Sequence, residues 1–122
     1  MSKKVIYYTG AQGQAPALEF LLGLAQGEQQ KVLAYISYLE ERGGGLRRPI
    51  ADYLGDKIYE LRPKQTRILY GFVSKELAVI LHAFRKKTDA VASKEKRLAE
   101  TRVADFIRRY ERGLITIPAR KA

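Results

Sequence analysis

Residues 57–87 read KIYELR-PKQT-RILYGFV-SKE-LAVILHAF-RKK, and the three long apolar blocks in this stretch are dominated by β-branched, aromatic and leucine residues. Residues 57–62, 67–73 and 77–84 therefore predict three strands. The connections Pro63-Lys64-Gln65-Thr66 and Ser74-Lys75-Glu76 are short and polar, too short for a crossover, so the strands run antiparallel as a meander.

Upstream of the meander, Val5-Ile6-Tyr7-Tyr8-Thr9 ends at Gly10 and predicts a first strand beside the later ones. Pro16 suits the first turn of a helix reaching Ala25, with Leu18, Leu21, Leu22 and Ala25 at helical spacing. A second helix opens near Glu28, carries Val32, Leu33, Tyr35, Ile36 and Leu39 on one side, and stops at Gly43-Gly44-Gly45. The two form a hairpin joined near Gly27, whose apolar face needs a sheet to cover it. Downstream, Asp89 suits the N-cap of a helix carrying Ala99, Val103, Phe106, Ile107 and Tyr110, which Gly113 stops. The tail, 114–122, reads either as a docked strand or as loose chain. The expected order is β-α-α-β-β-β-α: an α+β fold of one helical layer on one sheet, in a single domain spanning 1–122.

The chain has 122 residues, 46% apolar and 30% charged, as folded domains do. No apolar run approaches the roughly 20 residues of a membrane helix, and Met1-Ser2-Lys3-Lys4 does not open a signal peptide. There is no cysteine and one histidine, His82, which argues against disulfides and against zinc sites of three or four His or Cys ligands; no cofactor is expected. A cytoplasmic location fits the missing cysteines. The net charge of +10 favours a polyanionic partner, with nucleic acid ahead of a membrane surface because no stretch joins a basic face to a strong apolar one.

Alternation places Ile58, Glu60 and Arg62 on one strand face, and Arg67 and Leu69 together on the next strand, opposite Ile68, Tyr70 and Phe72. A hairpin register would set Arg67 beside Glu60 and Arg62. Polar residues at alternate strand positions also read simply as a water-facing surface. His82 and Phe84 share a strand face just before Arg85-Lys86-Lys87, a combination suited to RNA, since cations hold phosphates and a ring can stack on a base. Phe84 taken alone reads as core. Lys94, Lys96 and Arg97 form a second basic cluster, solvated or phosphate-steering. Cutting RNA through its own 2′-OH takes a proton acceptor, cations for the developing charge and a donor for the leaving oxygen. Arg62, Arg67, Lys86 and Lys87 offer the cations, Glu60 or His82 the acceptor, and Tyr70 a weaker donor. The unperturbed imidazole, with its pKa of about 6.5, suits acid–base work best. No catalytic triad, P-loop or dinucleotide-binding glycine pattern is present.

Taken together, Lys57-Ile58-Tyr59-Glu60-Leu61-Arg62, Arg67-Ile68-Leu69-Tyr70 and Leu81-His82-Ala83-Phe84-Arg85-Lys86-Lys87-Thr88 resemble the phage-derived, HigB-like branch of the RelE/ParE toxin superfamily. The resemblance implies a RelE-like fold and a metal-independent endonuclease that cuts mRNA on the ribosome, contacts ribosomal RNA and leaves a cyclic phosphate. It also implies a cognate antitoxin, of helix-turn-helix type, bound in a hetero-oligomer. It assigns phosphate-contacting cations to Arg62, Arg67 and Lys86 or Lys87; Lys94, Arg97, Arg85, Phe84 and Tyr70 are the further substrate contacts that the residues themselves suggest. Several members carry a tyrosine or histidine just beyond the last-strand cations, where Asp89-Ala90-Val91-Ala92-Ser93 has neither. Two other readings stand beside this one: an inhibitor of a protein target such as gyrase, and an inactive RNA-binding module.

Overall fold

A computed structural model describes residues 4–88 and 91–115. The meander forms as its sequence dictates, as β3 (Ile58–Leu61), β4 (Thr66–Ser74) and β5 (Leu77–Arg85), preceded by β1 (Lys4–Tyr7), α1 (Pro16–Leu22), α2 (Gln26–Arg42) and β2 (Ala51–Gly55), and followed by α3 (Ser93–Glu111). The sheet order is β1-β5-β4-β3-β2, with β1 parallel to β5 and the other pairs antiparallel.

The strand β2 departs from the expected order. Its sequence, Ala-Asp-Tyr-Leu-Gly, carries little strand propensity, but it closes a tight hairpin on β3 in which Asp56 and Lys57 both take positive φ (53° and 67°). Tyr53 then lies opposite Tyr59, ring centroids 4.7 Å apart, and this aromatic pair favours a strand that propensity does not. Lys57 belongs to that turn and not to the strand.

Smaller shifts follow from chain chemistry. The helical hairpin bends at Gly23–Ala25 rather than near Gly27, which lies inside α2, and the glycine run past Arg42 winds into one 3₁₀ turn (Gly43–Gly45). The helix α3 begins at Ser93 after Ala92. The Asp89 cap and the tail from Thr116 onward lie outside the described residues.

A larger correction concerns the layers. The hairpin α1–α2 covers one sheet face, packing Ala17, Leu21, Val32, Ile36 and Leu39 on Leu61, Ile68, Tyr70, Ala78 and Ile80. The other face is covered too, by α3, whose Ala99 and Phe106 sit on Ile58, Leu69, Val79 and Leu81. The sheet is thus the middle of three layers. Gly71 marks where α3 crosses it: a Cβ there would come within 3.3 Å of the Lys57 carbonyl and 3.5 Å of Val103. No helix among the described residues is long and apolar enough to cross a membrane.

Candidate nucleic-acid interface and catalytic cleft

The cleft lies on the α3 side of the sheet, where β4 and β5 emerge and α3 starts. Two rows of residues cross the strands there. The pairings Asp52↔Glu60, Glu60↔Leu69 and Leu69↔His82 make one row. Leu61 pairs with Ile68, so one further step of that register sets Arg62 opposite Arg67, which in turn pairs with Phe84. The geometry therefore brings Glu60, Arg62, Arg67, His82 and Phe84 onto one face. A bulge leaves Leu81 unpaired between Ile80 and His82, turning Leu81 and His82 toward the same side, under α3.

The strands do not present these groups to water. Glu60 is 1% exposed, ion-paired to Arg62, and its Oε2 has no hydrogen-bond partner among the described residues. Arg67 is 4% exposed and donates from one guanidinium nitrogen to the carbonyls of Lys64 (2.8 Å) and Thr66 (2.9 Å). Both were candidates for a water-facing surface; α3 and the 63–65 turn cover them. Arg67 thus forms part of the buried floor of the cleft.

His82 is half-buried. Its Nε2 lies 3.0 Å from Glu95 Oε1 on α3, and its ring stacks on Phe84 with centroids 5.1 Å apart. Phe84 packs against the α3-side core and also lines the cleft, so the core reading and the ligand reading meet in one side chain. Arg67, Phe84, Lys86, Lys87, Lys94 and Glu95 are among the residues that line this cleft. Lys87 and Lys94 are exposed, as is Arg97 one turn farther along α3.

Two candidates turn elsewhere. Tyr70 is 1% exposed in the core beneath α1 and α2, on the opposite sheet face, and burial pushes its hydroxyl well above the ordinary tyrosine range. It is no donor to a ligand in this cleft. Arg85 points its guanidinium toward α2 and pairs with Glu28 at 3.1 Å, leaving only part of the residue at the cleft wall. Glu95 is the residue that sequence reasoning missed: it stands thirteen positions from His82, across a loop, and no local pattern links them.

The start of α3 is anchored by Lys96 Nζ, 2.6 Å from Asp56 Oδ2, and its middle by Arg102, which donates to the carbonyl of the bulged Leu81 at 2.8 Å. Desolvation lowers the Arg102 pKa from its ordinary value. Farther along, Asp105 accepts from the Tyr8 hydroxyl (2.7 Å) and from Arg109 Nε (3.0 Å), contacts that hold the Asp105 carboxyl below the usual carboxylate range. Among the described residues no three His, Cys, Asp or Glu side chains cluster as a metal site.

A mixed sheet closed by a parallel first strand, with a helical hairpin on one face and a last helix on the other, is an α+β architecture of RelE-like fold. A chain of the crystal structure of the archaeal RelE-RelB complex from Pyrococcus horikoshii OT3 superposes with a TM-score of 0.52 at 18% identity, covering 74% of this chain and 100% of that one. Residues 19–104 match the family described as Phage derived protein Gp49-like (DUF891), and the chain belongs to that family. No curated protein matches it in sequence.

Proposed function

We propose that this protein is the toxin of a toxin–antitoxin pair, of the phage-derived HigB-like kind, and that it stops translation by cutting mRNA on the ribosome. The observation that carries this reading is a basic cleft walled by several cations, by Phe84 and by Glu95, the last two of which hold the chain's sole histidine, His82, at its edge. The RelE-like fold and the family membership support it.

The chemistry needs no resident metal. A base takes the proton of a ribose 2′-OH, the 2′-oxygen bonds to the adjacent phosphorus, and the bond from phosphorus to the 5′-oxygen breaks as that oxygen takes a proton from solvent water, leaving a cyclic phosphate and a 5′-OH end. His82 is the group we assign to the proton, with Glu60 held in reserve by its pairing to Arg62. Lys86 and Lys87 at the rim, with Arg62 and Arg67 beneath, stabilise the charge that builds on the phosphorane. Phe84 offers part of a stacking surface, and Lys94 and Arg97 steer the message and ribosomal RNA. An antitoxin that covers this face, of helix-turn-helix type, would neutralise both its charge and its chemistry.

The test is induced expression in bacterial cells with primer extension on a translated message, for wild type, His82→Ala and the Lys86→Gln/Lys87→Gln pair, each checked for folding by thermal melting. Growth arrest with new ends inside the reading frame, lost in folded variants, is the expected result. Arrest without cuts replaces this reading with inhibition of a protein target such as gyrase. A folded wild type that causes no arrest replaces it with an inactive RNA-binding module.

A further inference from the structure

Glu95 stands out in the cleft because it has the wrong sign. The lining residues include Arg67, Lys86, Lys87 and Lys94, and Glu95 is the acid among them. A carboxylate on the wall of an anion-binding cleft repels the ligand, and at a few ångströms in a partly dehydrated site that repulsion is not screened away. Its side chain is 20% exposed and directs Oε1 at His82 Nε2, 3.0 Å away, while the His82 side chain is 14% exposed. Phe84 stacks on the imidazole, and Leu69 is the cross-strand neighbour of His82. The ring is thus packed in place, with one nitrogen committed to a carboxylate on another element.

A carboxylate is an acceptor only, so the neutral imidazole facing it must carry its proton on Nε2. The other nitrogen, Nδ1, then holds the lone pair. From this geometry we infer that Glu95 is a positioning residue: it fixes the tautomer and the ring orientation of His82, so that Nδ1 is the proton acceptor, and it stabilises the imidazolium once the proton has moved. The proton goes from the 2′-OH to Nδ1 while Nε2–H stays on Glu95; the carboxylate itself is not protonated. The catalytic purpose rests on the nuclease reading above, whereas the tautomer does not.

The single histidine makes this measurable, because tag-free ¹⁵N-labelled protein gives the nitrogen signals of one imidazole. At alkaline pH a long-range ¹H–¹⁵N spectrum of wild type is expected to show the Nε2–H form alone, and that of Glu95→Ala a mixture of both tautomers. Cleavage by Glu95→Ala is expected to fall about 10–100-fold, a part of the roughly 10²–10⁴-fold that a positioned proton acceptor supplies. Glu95→Gln, which keeps a carbonyl acceptor of the same length, is expected to hold the tautomer and recover part of the rate, which a general loss of folding would not allow. A mixed wild-type ring, or a Glu95→Ala protein that keeps both tautomer and rate, overturns the assignment. Wild type that cuts nothing overturns the nuclease reading and the catalytic purpose with it; a cleaving wild type with an unlocked ring overturns the Glu95 assignment alone.

Discussion

Arg67 shows how one residue changes meaning between sequence and structure. Its place at an alternating strand position suggests a cation offered to RNA, and charge reversal there would then leave the fold intact. In the folded chain its guanidinium is buried and bonded to the carbonyls of Lys64 and Thr66. Removing a buried charged donor costs its hydrogen bonds and leaves acceptors dehydrated, about 2 kcal/mol or more. Urea denaturation of Arg67→Ala is therefore expected to show at least that loss, against less than about 0.5 kcal/mol for Lys87→Gln at an exposed position. An Arg67→Ala protein as stable as wild type would mean that the guanidinium is not part of the fold. Loss of toxicity in Arg67→Glu reports on RNA only if folding is shown to persist. Glu60, equally buried, comes under the same rule.

The element that carries most of the consequences is α3. It has no side-chain N-cap bond, and its sequence is strongly charged, so tertiary contacts fix its position more than helix propensity does. One end is tied by Lys96 to Asp56 in the β2–β3 turn, the other by Asp105 to Tyr8 just beyond β1. The Asp105 carboxyl is depressed chiefly by the Tyr8 hydroxyl, then by Arg109, and that of Asp56 by Lys96. A carboxylate with a lowered folded pKa stabilises the fold above its unfolded value of about 3.9 and loses that contribution as pH falls through the folded value. Stability is thus expected to decline from about pH 5 downward, and Asp105→Asn, less stable at neutral pH, to show a shallower decline. Parallel pH curves for the two proteins, followed by circular dichroism in urea, would show that the Tyr8–Asp105 contact does not hold α3.

Over the molecule as a whole the net charge of +10 sets the salt dependence expected of the proposed RNA binding. Binding that neutralises phosphates releases counterions, with a slope of roughly 0.7 in log K against log salt for each contact to a single strand. Lys87, Lys94 and Arg97 are exposed on or near the cleft rim. Their combined substitution by glutamine is expected to flatten the slope by about 2 for a single-stranded RNA and to change the melting temperature little. Fluorescence anisotropy over a salt series measures this, and an unchanged slope would take the RNA off this face.

The meander, both helices of the hairpin, the last helix and the excess of cations are legible in the sequence, because each is written in local pattern or in composition: β-branched blocks between polar turns, helical spacing of leucines, and a net charge of +10. Even the sharing of one face by Glu60, Arg62 and Arg67 follows from a period of two and a short hairpin, whereas His82 joins them through the bulge at Leu81. Tertiary structure alone decided the rest. The strand β2 exists because an aromatic pair and a tight turn outweigh the weak propensity of five residues. Glu60 and Arg67 are buried because α3 covers the sheet face that alternation alone would leave to water. Glu95 meets His82 because a helix that starts at Ser93 lays its first turn across the end of β5, joining two residues that nothing local connects. Local pattern is set by neighbours along the chain, whereas burial and pairing are set by which surfaces the whole fold brings into contact.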